Sequence, residues 1–195
     1  MNTDQLSPVG KKFLNMIEFD DNESIVREIR KDPFGLFMIY FSGVFVMLVI
    51  FFVMVLGGSM FDASEVTTGS GVAAESVNSA IAAAGFFLCV LIIIVTAIGA
   101  FLYKNNVVLV TSEKISQMLY MSLFNRKISS LSIADVQDVT VRQKGIFAHI
   151  FNYGTLTIET AGEQSNYTFT FTPEPYEAAK ALVGSHEADV ARHGN

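Results

Sequence analysis

The sequence is poor in residues that carry redox and metal chemistry, since its 195 residues include one cysteine, three histidines and no tryptophan. A single cysteine cannot form an intrachain disulfide, which is usual for a domain in a reducing compartment. Cys89 lies inside a long apolar run, and we interpret it as a small apolar residue. His149, His186 and His193 have no second ligand at metal-binding spacing. We therefore expect no metal site and no cofactor.

The short motifs that carry catalytic chemistry are also missing. The sequence contains no nucleophile elbow, no catalytic-triad signature and no glycine-rich phosphate loop. Asp135 and Asp138 lie close together, but residues that flank a strand explain them better than acid–base catalysis does. Lys and Arg are dispersed in a chain of net charge −6, whereas nucleic-acid binding requires them clustered. We expect neither an enzyme nor a nucleic-acid partner.

Charge is absent from two long stretches, Phe34 to Gly58 and Ser76 to Tyr103. Each stretch is longer than the roughly 20 apolar residues that a helix needs to cross a bilayer core. The sequence therefore predicts a transmembrane helical hairpin over residues 33–104, with spans at about 34–58 and 79–103. The first run begins too far from residue 1 for a cleaved signal peptide, so we expect this span to be retained.

The basic residues around these spans predict the orientation of the hairpin. Arg27, Arg30 and Lys31 precede the first span and Lys104 follows the second, whereas the connecting loop, residues 59–78, has no Lys or Arg. Positively charged residues stay on the cytoplasmic side of a membrane. We therefore predict a multi-pass protein of the cell (inner) membrane, with both termini cytoplasmic and the loop external.

The interior of the two spans contains no Asp, Glu, Lys, Arg or His. Transport pathways normally need such groups, so we do not expect a channel or transporter formed by one chain. Small residues concentrate in the second span, at 80–85 and 96–100. Small residues let helix backbones approach closely, which favours packing of the two spans and leaves self-association into a homo-oligomer open.

After Lys104 the pattern changes to the alternation of polar and apolar residues that is typical of strands. Leu156, Ile158, Tyr167, Phe169 and Phe171 are predicted to face a core. The predicted strands occupy residues 106–112, 114–124, 126–132, 136–143, 155–160 and 167–172, and an amphipathic helix follows from about 173 to 184. These elements predict an antiparallel β-barrel with a C-terminal helix over 105–184, preceded by a cytoplasmic segment (1–32) and followed by a flexible tail (185–195).

Several segments resemble the bacterial membrane-flanked pleckstrin-homology-like domains. They are EIRKDPFGLF, NVVLVTSEKI, SSLSIADVQDVTV, GIFAHIFNYGTLTIETAG and FTFTPEPYEAAKAL, and the resemblance extends over roughly residues 23–184. It implies a split barrel of α+β class, a membrane anchor and a cytoplasmic domain in a bacterial cell. It implies no catalytic activity and supplies no ligand.

Two classes of function are compatible with these features. The first is a membrane-anchored interaction or scaffold module in an envelope-associated assembly, whose partner is an unidentified membrane or cytoplasmic protein. The alternative is a sensor of anionic lipid at the inner membrane surface. The candidate contact residues for a lipid or a partner are Lys114, Arg126, Lys127, Arg142, Lys144, Phe147 and Phe151. The basic residues form one patch only if their turns share an end of the barrel.

Overall fold

A computed structural model describes residues 3–19, 23–60, 74–160 and 167–193. The chain divides into two units, which we call the apolar unit (Phe37–Ala100) and the sheet unit (Met1–Leu36 with Phe101–Asn195). The helices are α1 (Pro8–Leu14), α2 (Pro33–Met60), α3 (Ala74–Lys104), α4 (Ile146–Ile150) and α5 (Pro175–His193). The strands are β1 (Ile25–Arg30), β2 (Val107–Thr111), β3 (Lys114–Tyr120), β4 (Arg126–Ser132), β5 (Val136–Arg142), β6 (Tyr153–Thr160) and β7 (Tyr167–Pro173).

The apolar unit consists of the uncharged parts of α2 and α3. The two helices pack against each other at glycines, since a Cβ at Gly43 would meet the Thr96 side chain and one at Gly85 would meet Met54. Their large side chains are mostly exposed, and both helices are long and apolar enough to cross a membrane. The prediction of two apolar helices is confirmed. The helices extend into the predicted loop from both sides, and residues 61–73 of that loop lie outside the described residues.

The sheet unit contains two antiparallel sheets, with strand orders β1-β2-β3-β4 and β5-β6-β7. The six predicted strands after Lys104 are present. The sequence missed β1, which lies in the segment predicted to be a separate N-terminal region. Ile25 and Ile29 of β1 are each 2% exposed, and Ile29 is the register partner of Val108 in β2. The domain predicted over 105–184 therefore takes its edge strand from residues before the apolar helices.

Two hydrophobic clusters cover the two faces of the first sheet. Leu182 of α5 packs with Val108, Val110 and the facing sheet's Leu156 in the larger cluster. Phe13 of α1 packs on the opposite face, in a cluster that also contains Leu6, Ile25, Val107, Leu109 and Met118. Because both faces are covered, every residue of β2 is buried, and the strand is a continuous apolar run rather than an alternating one.

The C-terminal helix is longer than predicted, because α5 begins at Pro175 and continues to His193. Residues 185–193, the described part of the predicted flexible tail, are tied to the domain. His186 Nδ1 lies 2.8 Å from the carbonyl oxygen of Ile133, and an Arg192 N–H donates to the carbonyl of Ser112 at 3.2 Å. A glycine within a helical pattern costs only about 1 kcal/mol, so these contacts carry the helix through Gly184.

The two sheets remain separate ladders among the described residues. Between their edges, the Asp32 N–H donates to the Phe171 carbonyl at 2.6 Å. The Lys31 ammonium donates to the Thr170 hydroxyl at 3.3 Å. The predicted α+β fold with antiparallel strands and a C-terminal helix is confirmed, in the form of two sheets joined locally at these residues.

Candidate functional site

The first residues of α2 and the last residues of α3 lie at one end of the sheet unit. Arg30 and Met118 are both register partners of Val107, and Tyr120 pairs with Arg126. The second sheet ends at the same place, because Phe34 stacks on Tyr153 at 5.2 Å. We call this surface the root end. It comprises residues 30–36, 101–107, 120–127, 142–153 and 171–175.

The first turn of α2 and the last turn of α3 are held together at the root end. The Asp32 carboxylate accepts from the Phe34 N–H at 2.8 Å and so caps α2. The Tyr103 hydroxyl donates to the Asp32 carbonyl at 2.7 Å. Gly35 lies against the Tyr103 ring, where a Cβ would overlap the hydroxyl. This close approach requires glycine at position 35.

A cavity of about 280 Å³ opens beside this junction. We call it the basic pocket, because Arg30, Lys31 and Lys104 all line it and its lining, within the described chain, includes no carboxylate. The other lining residues are Val9, Pro33, Leu36 and Tyr103. Two carboxylates adjoin these residues and both are engaged. Glu28, 4.0 Å from Arg30, accepts from the backbone N–H of Ser7 at 2.8 Å, and Asp32 caps α2. The basic pocket therefore carries an excess of positive charge.

Lys31 is the most enclosed of the three cations. Its ammonium lies 5.2 Å from the centre of the Tyr103 ring and 5.9 Å from that of Phe169, within the range of cation–π contacts. Burial lowers the pKa of Lys31, because removal from water disfavours the charged form. A bound anion at this position would offset that penalty.

An aromatic cluster continues from the junction toward α4. Phe34 stacks on Phe147 and Phe151, with ring centres 5.6 and 4.4 Å apart. Phe171 stacks on Tyr153 at 5.1 Å. The sequence predicted that Phe171 faces the core, and this prediction is wrong. Its φ is +56°, and the β6–β7 register shifts between Gly154 and Leu156, so the alternation of faces breaks before Phe171.

Two apolar elements project from the root end. In α4, Ile146 and Ile150 are 77% and 66% exposed, and in the β3–β4 turn Phe124 is 98% exposed. The shape of α4 is fixed by the Gln143 side-chain amide, which donates to the carbonyls of Ala148 and Tyr153 at 3.4 and 3.3 Å. We call these exposed residues the apolar rim, which comprises Met121, Leu123, Phe124, Ile146, Phe147, Ile150 and Phe151.

The structure brings four of the five predicted basic residues to the root end. Arg126 and Lys127 begin β4 directly after the β3–β4 turn, and Arg142 and Lys144 precede α4, all with exposed side chains. Lys114 lies at the other end of β3. Its ammonium pairs with the fully buried carboxylate of Glu23 at 2.9 Å, so Lys114 does not belong to one patch with the other four.

The predicted aromatic contact residues, Phe147 and Phe151, both lie in the apolar rim. Their part in ligand binding stays a prediction. The basic pocket was not predicted from the sequence. Its three cations are nevertheless visible there, two in EIRK before the first predicted span and one at Lys104 after the second. Those residues were used only to orient the spans, because their proximity depends on the unpredicted pairing of β1 with β2.

A four-stranded and a three-stranded antiparallel sheet followed by a C-terminal helix define a pleckstrin-homology-like domain, a class of interaction module for proteins or lipids. The family model described as Bacterial PH domain matches residues 43–183, and the chain belongs to this family. This confirms the resemblance seen in the sequence.

Among solved structures, the chain is similar to a DUF1696 family protein with a pleckstrin-homology domain from Shewanella loihica. The two share 9% sequence identity with a TM-score of 0.35, over 42% of this chain and 71% of that one. No curated protein matches the chain.

Proposed function

We propose that this protein is a non-catalytic, membrane-anchored interaction module of the bacterial inner membrane. In this proposal α2 and α3 cross the bilayer as a hairpin, and the sheet unit lies on the cytoplasmic side. One observation carries it: two helices with long uncharged stretches and exposed apolar side chains begin and end at adjoining residues of one PH-like domain. In water, such surfaces would be strongly unfavourable, since burying apolar area is worth about 25 cal/mol per Å².

The orientation follows from the charges at the root end. Arg30, Lys31 and Lys104 all lie where the helices meet the sheet unit. Lys and Arg are retained on the cytoplasmic side of membrane spans. The chain between α2 and α3 would then be external, and both termini would be cytoplasmic.

The same geometry supports contact between the apolar rim and the bilayer surface. Insertion of α2 and α3 would hold the root end at the headgroups, because Phe34 in the first turn of α2 stacks on two rim residues, Phe147 and Phe151. Exposed apolar patches flanked by polar residues are typical of interaction surfaces. Arg126, Lys127, Arg142 and Lys144 would add about 1 kcal/mol each from anionic lipid near the surface.

A second candidate function is binding of an unidentified membrane or cytoplasmic protein, as part of an envelope-associated assembly. An open groove of about 480 Å³ favours it. The groove lies between α5 and the β2–β3 turn, with Ser112, Ser185 and Arg192 in its lining. It is at the opposite end of the domain from the basic pocket, so both functions are compatible in one molecule. Co-purification from mild detergent, with and without Ala188→Trp in the groove, tests this function.

Depth measurement in vesicles tests the bilayer contact. Single cysteines replace Phe124 and Ile150 in a full-length Cys89→Ala background, and each carries an environment-sensitive fluorophore. We expect blue-shifted emission and quenching by nitroxide lipids at both positions. A cysteine at Val183, an exposed apolar residue of α5, is the matched control and should stay unquenched. Equal emission at all three positions would contradict contact between the apolar rim and the membrane.

A further inference from the structure

The basic pocket has the chemistry of an anion site. Its volume, about 280 Å³, is near the lower limit of about 300 Å³ for small-molecule pockets. Three cationic side chains line it, and Glu28, 4.0 Å from Arg30, is engaged with Ser7. An ammonium has three donors, and the Lys31 ammonium makes one hydrogen bond to a neutral hydroxyl, that of Thr170. An anion in the pocket would supply a negative charge to pair with the Lys31 ammonium.

The walls of the pocket indicate what kind of anion fits. The cations Arg30, Lys31 and Lys104 are contributed by the end of β1 and the end of α3. Pro33 and Leu36 of α2 and Val9 of α1 form an apolar side. A ligand with a phosphate at one end and apolar groups at the other would satisfy both sides. A free inorganic phosphate would satisfy only the cations.

We propose that the basic pocket binds the phosphate of an anionic phospholipid from the leaflet next to the sheet unit. Lys31 donates to the phosphate, Arg30 and Lys104 neutralise the remaining charge, and the apolar side contacts the glycerol and the start of the acyl chains. This inference rests on the proposed membrane anchoring, which places Pro33 and Lys104 at the headgroup level. It adds a specific lipid site to the general contact made by the apolar rim.

The test is a lipid titration of the full chain in neutral detergent, with the unfolding midpoint measured by circular dichroism at about 150 mM salt. The ligands are short-chain phosphatidylglycerol, phosphatidylcholine of the same chain length, and inorganic phosphate. We expect phosphatidylglycerol to raise the midpoint in a saturable manner, because a ligand that binds only the folded state stabilises it. Phosphatidylcholine should bind more weakly, because the three cations repel its choline group and its net charge is zero. Inorganic phosphate should bind at least tenfold more weakly than phosphatidylglycerol.

Variants decide whether the pocket is responsible. Lys31→Met should weaken phosphatidylglycerol binding about tenfold or more, the effect of one lost charged hydrogen bond. Lys31→Arg keeps the charge and should retain most of the affinity. Lys180→Met removes one exposed cation of α5, outside the root end, and is the matched control, with a change below about twofold. Equal losses in Lys31→Met and Lys180→Met would overturn the site, and equal affinity for inorganic phosphate would overturn the lipid assignment.

The result is separable from the test of membrane anchoring. The titration measures binding in micelles and needs no particular depth of the apolar rim. If nitroxide quenching fails but the titration succeeds, the site stands and the rim contact is wrong. If quenching succeeds and phosphatidylglycerol does not bind, the rim contact stands and the lipid site is wrong.

Discussion

Arg30 of β1 lies directly opposite Val107 of β2 in an antiparallel ladder, although the chain between them contains both apolar helices. The connection between these two strands is therefore the whole α2–α3 segment. Antiparallel neighbours are commonly joined by loops of two to five residues. In this protein the two apolar helices take the place of such a loop, so the PH-like domain is discontinuous in sequence.

The first prediction concerns the boundary of the folded domain. Residues 105–193 alone lack β1 and leave the edge of β2 unpaired, so we expect them to be poorly folded. Residues 3–31 joined to 106–193 through Asn-Gly restore the β1–β2 pair with a hairpin turn. Circular dichroism and thermal melting of both proteins check this. A cooperative melt of 105–193 at the temperature of the joined protein would contradict the structural role of β1.

The second prediction isolates one residue of β1. Ile29 is 2% exposed and belongs to the larger hydrophobic cluster. Ile29→Ala should lower the free energy of unfolding by about 2–5 kcal/mol, the usual cost of truncating a buried aliphatic side chain. Val26→Ala in the same strand, at a residue that is 38% exposed, should cost about 0.5 kcal/mol. Urea unfolding of the joined protein measures both, and similar costs would show that β1 is not part of the core.

Some elements could be predicted from the sequence because their signal is local. The strands after Lys104 alternate cleanly, and each apolar helix is an uninterrupted run. β1 was missed because IVREIR contains three charges beside a predicted membrane span, and those charges already had an explanation in the predicted orientation of that span. The predicted C-terminal helix ends too early, because Gly184 is a typical stop signal for a helix. In the structure, contacts of His186 and Arg192 hold the helix beyond Gly184.

The basic pocket could not be predicted, for a different reason. Arg30 and Lys31 are far from Lys104 in sequence, and only the pairing of β1 with β2 brings them together. The patch formed by Arg126, Lys127, Arg142 and Lys144 depends in the same way on which strand ends meet. Lys114 was grouped with them by charge alone. Its true partner, Glu23, lies in the segment that the sequence assigned to another domain.

The third prediction separates Lys114 from the other basic residues. Lys114→Met removes the ion pair with the buried Glu23 carboxylate and should destabilise the protein by roughly 3 kcal/mol. Adding Glu23→Gln should recover part of this loss, because the buried side chain at position 23 is then neutral. Neither change should alter co-sedimentation of the full chain with anionic vesicles beyond that of wild type. Reduced lipid binding with unchanged stability would instead make Lys114 a lipid contact.

The fourth prediction concerns pH. Burial lowers the pKa of Lys31 below its ordinary value of 10.5, so just below that pH the unfolded chain holds this proton more tightly than the folded chain. Stability should therefore rise as Lys31 loses its proton, relative to a Lys31→Met variant that has none to lose. The wild-type protein should therefore gain stability relative to the variant as the pH rises toward 10.5. Unfolding of both proteins in neutral detergent at about pH 7 and pH 10 measures this relative gain. Identical pH dependence of stability in the two proteins would contradict it.

The last prediction is the topology. Absence of Lys and Arg between the spans, together with their presence at the root end, predicts that the connecting loop is external and that α5 is cytoplasmic. Cysteines at Thr68 and Glu187 in a full-length Cys89→Ala background test this with a membrane-impermeant thiol reagent on intact cells. Thr68 lies outside the described residues, and Glu187 is an exposed residue of α5.

We expect Thr68→Cys to react in intact cells and Glu187→Cys to react only after permeabilisation. Ser185 would be a poor reporter, because it is 6% exposed and its hydroxyl donates to the Ala181 carbonyl. Labelling of both variants after permeabilisation is the control for reactivity. If Glu187→Cys reacts in intact cells and Thr68→Cys does not, the hairpin is inverted, and the basic pocket would face the outer leaflet. The phospholipid site would then have to draw its ligand from that leaflet, because Lys31 and Lys104 are fixed at the ends of the helices whichever way they cross.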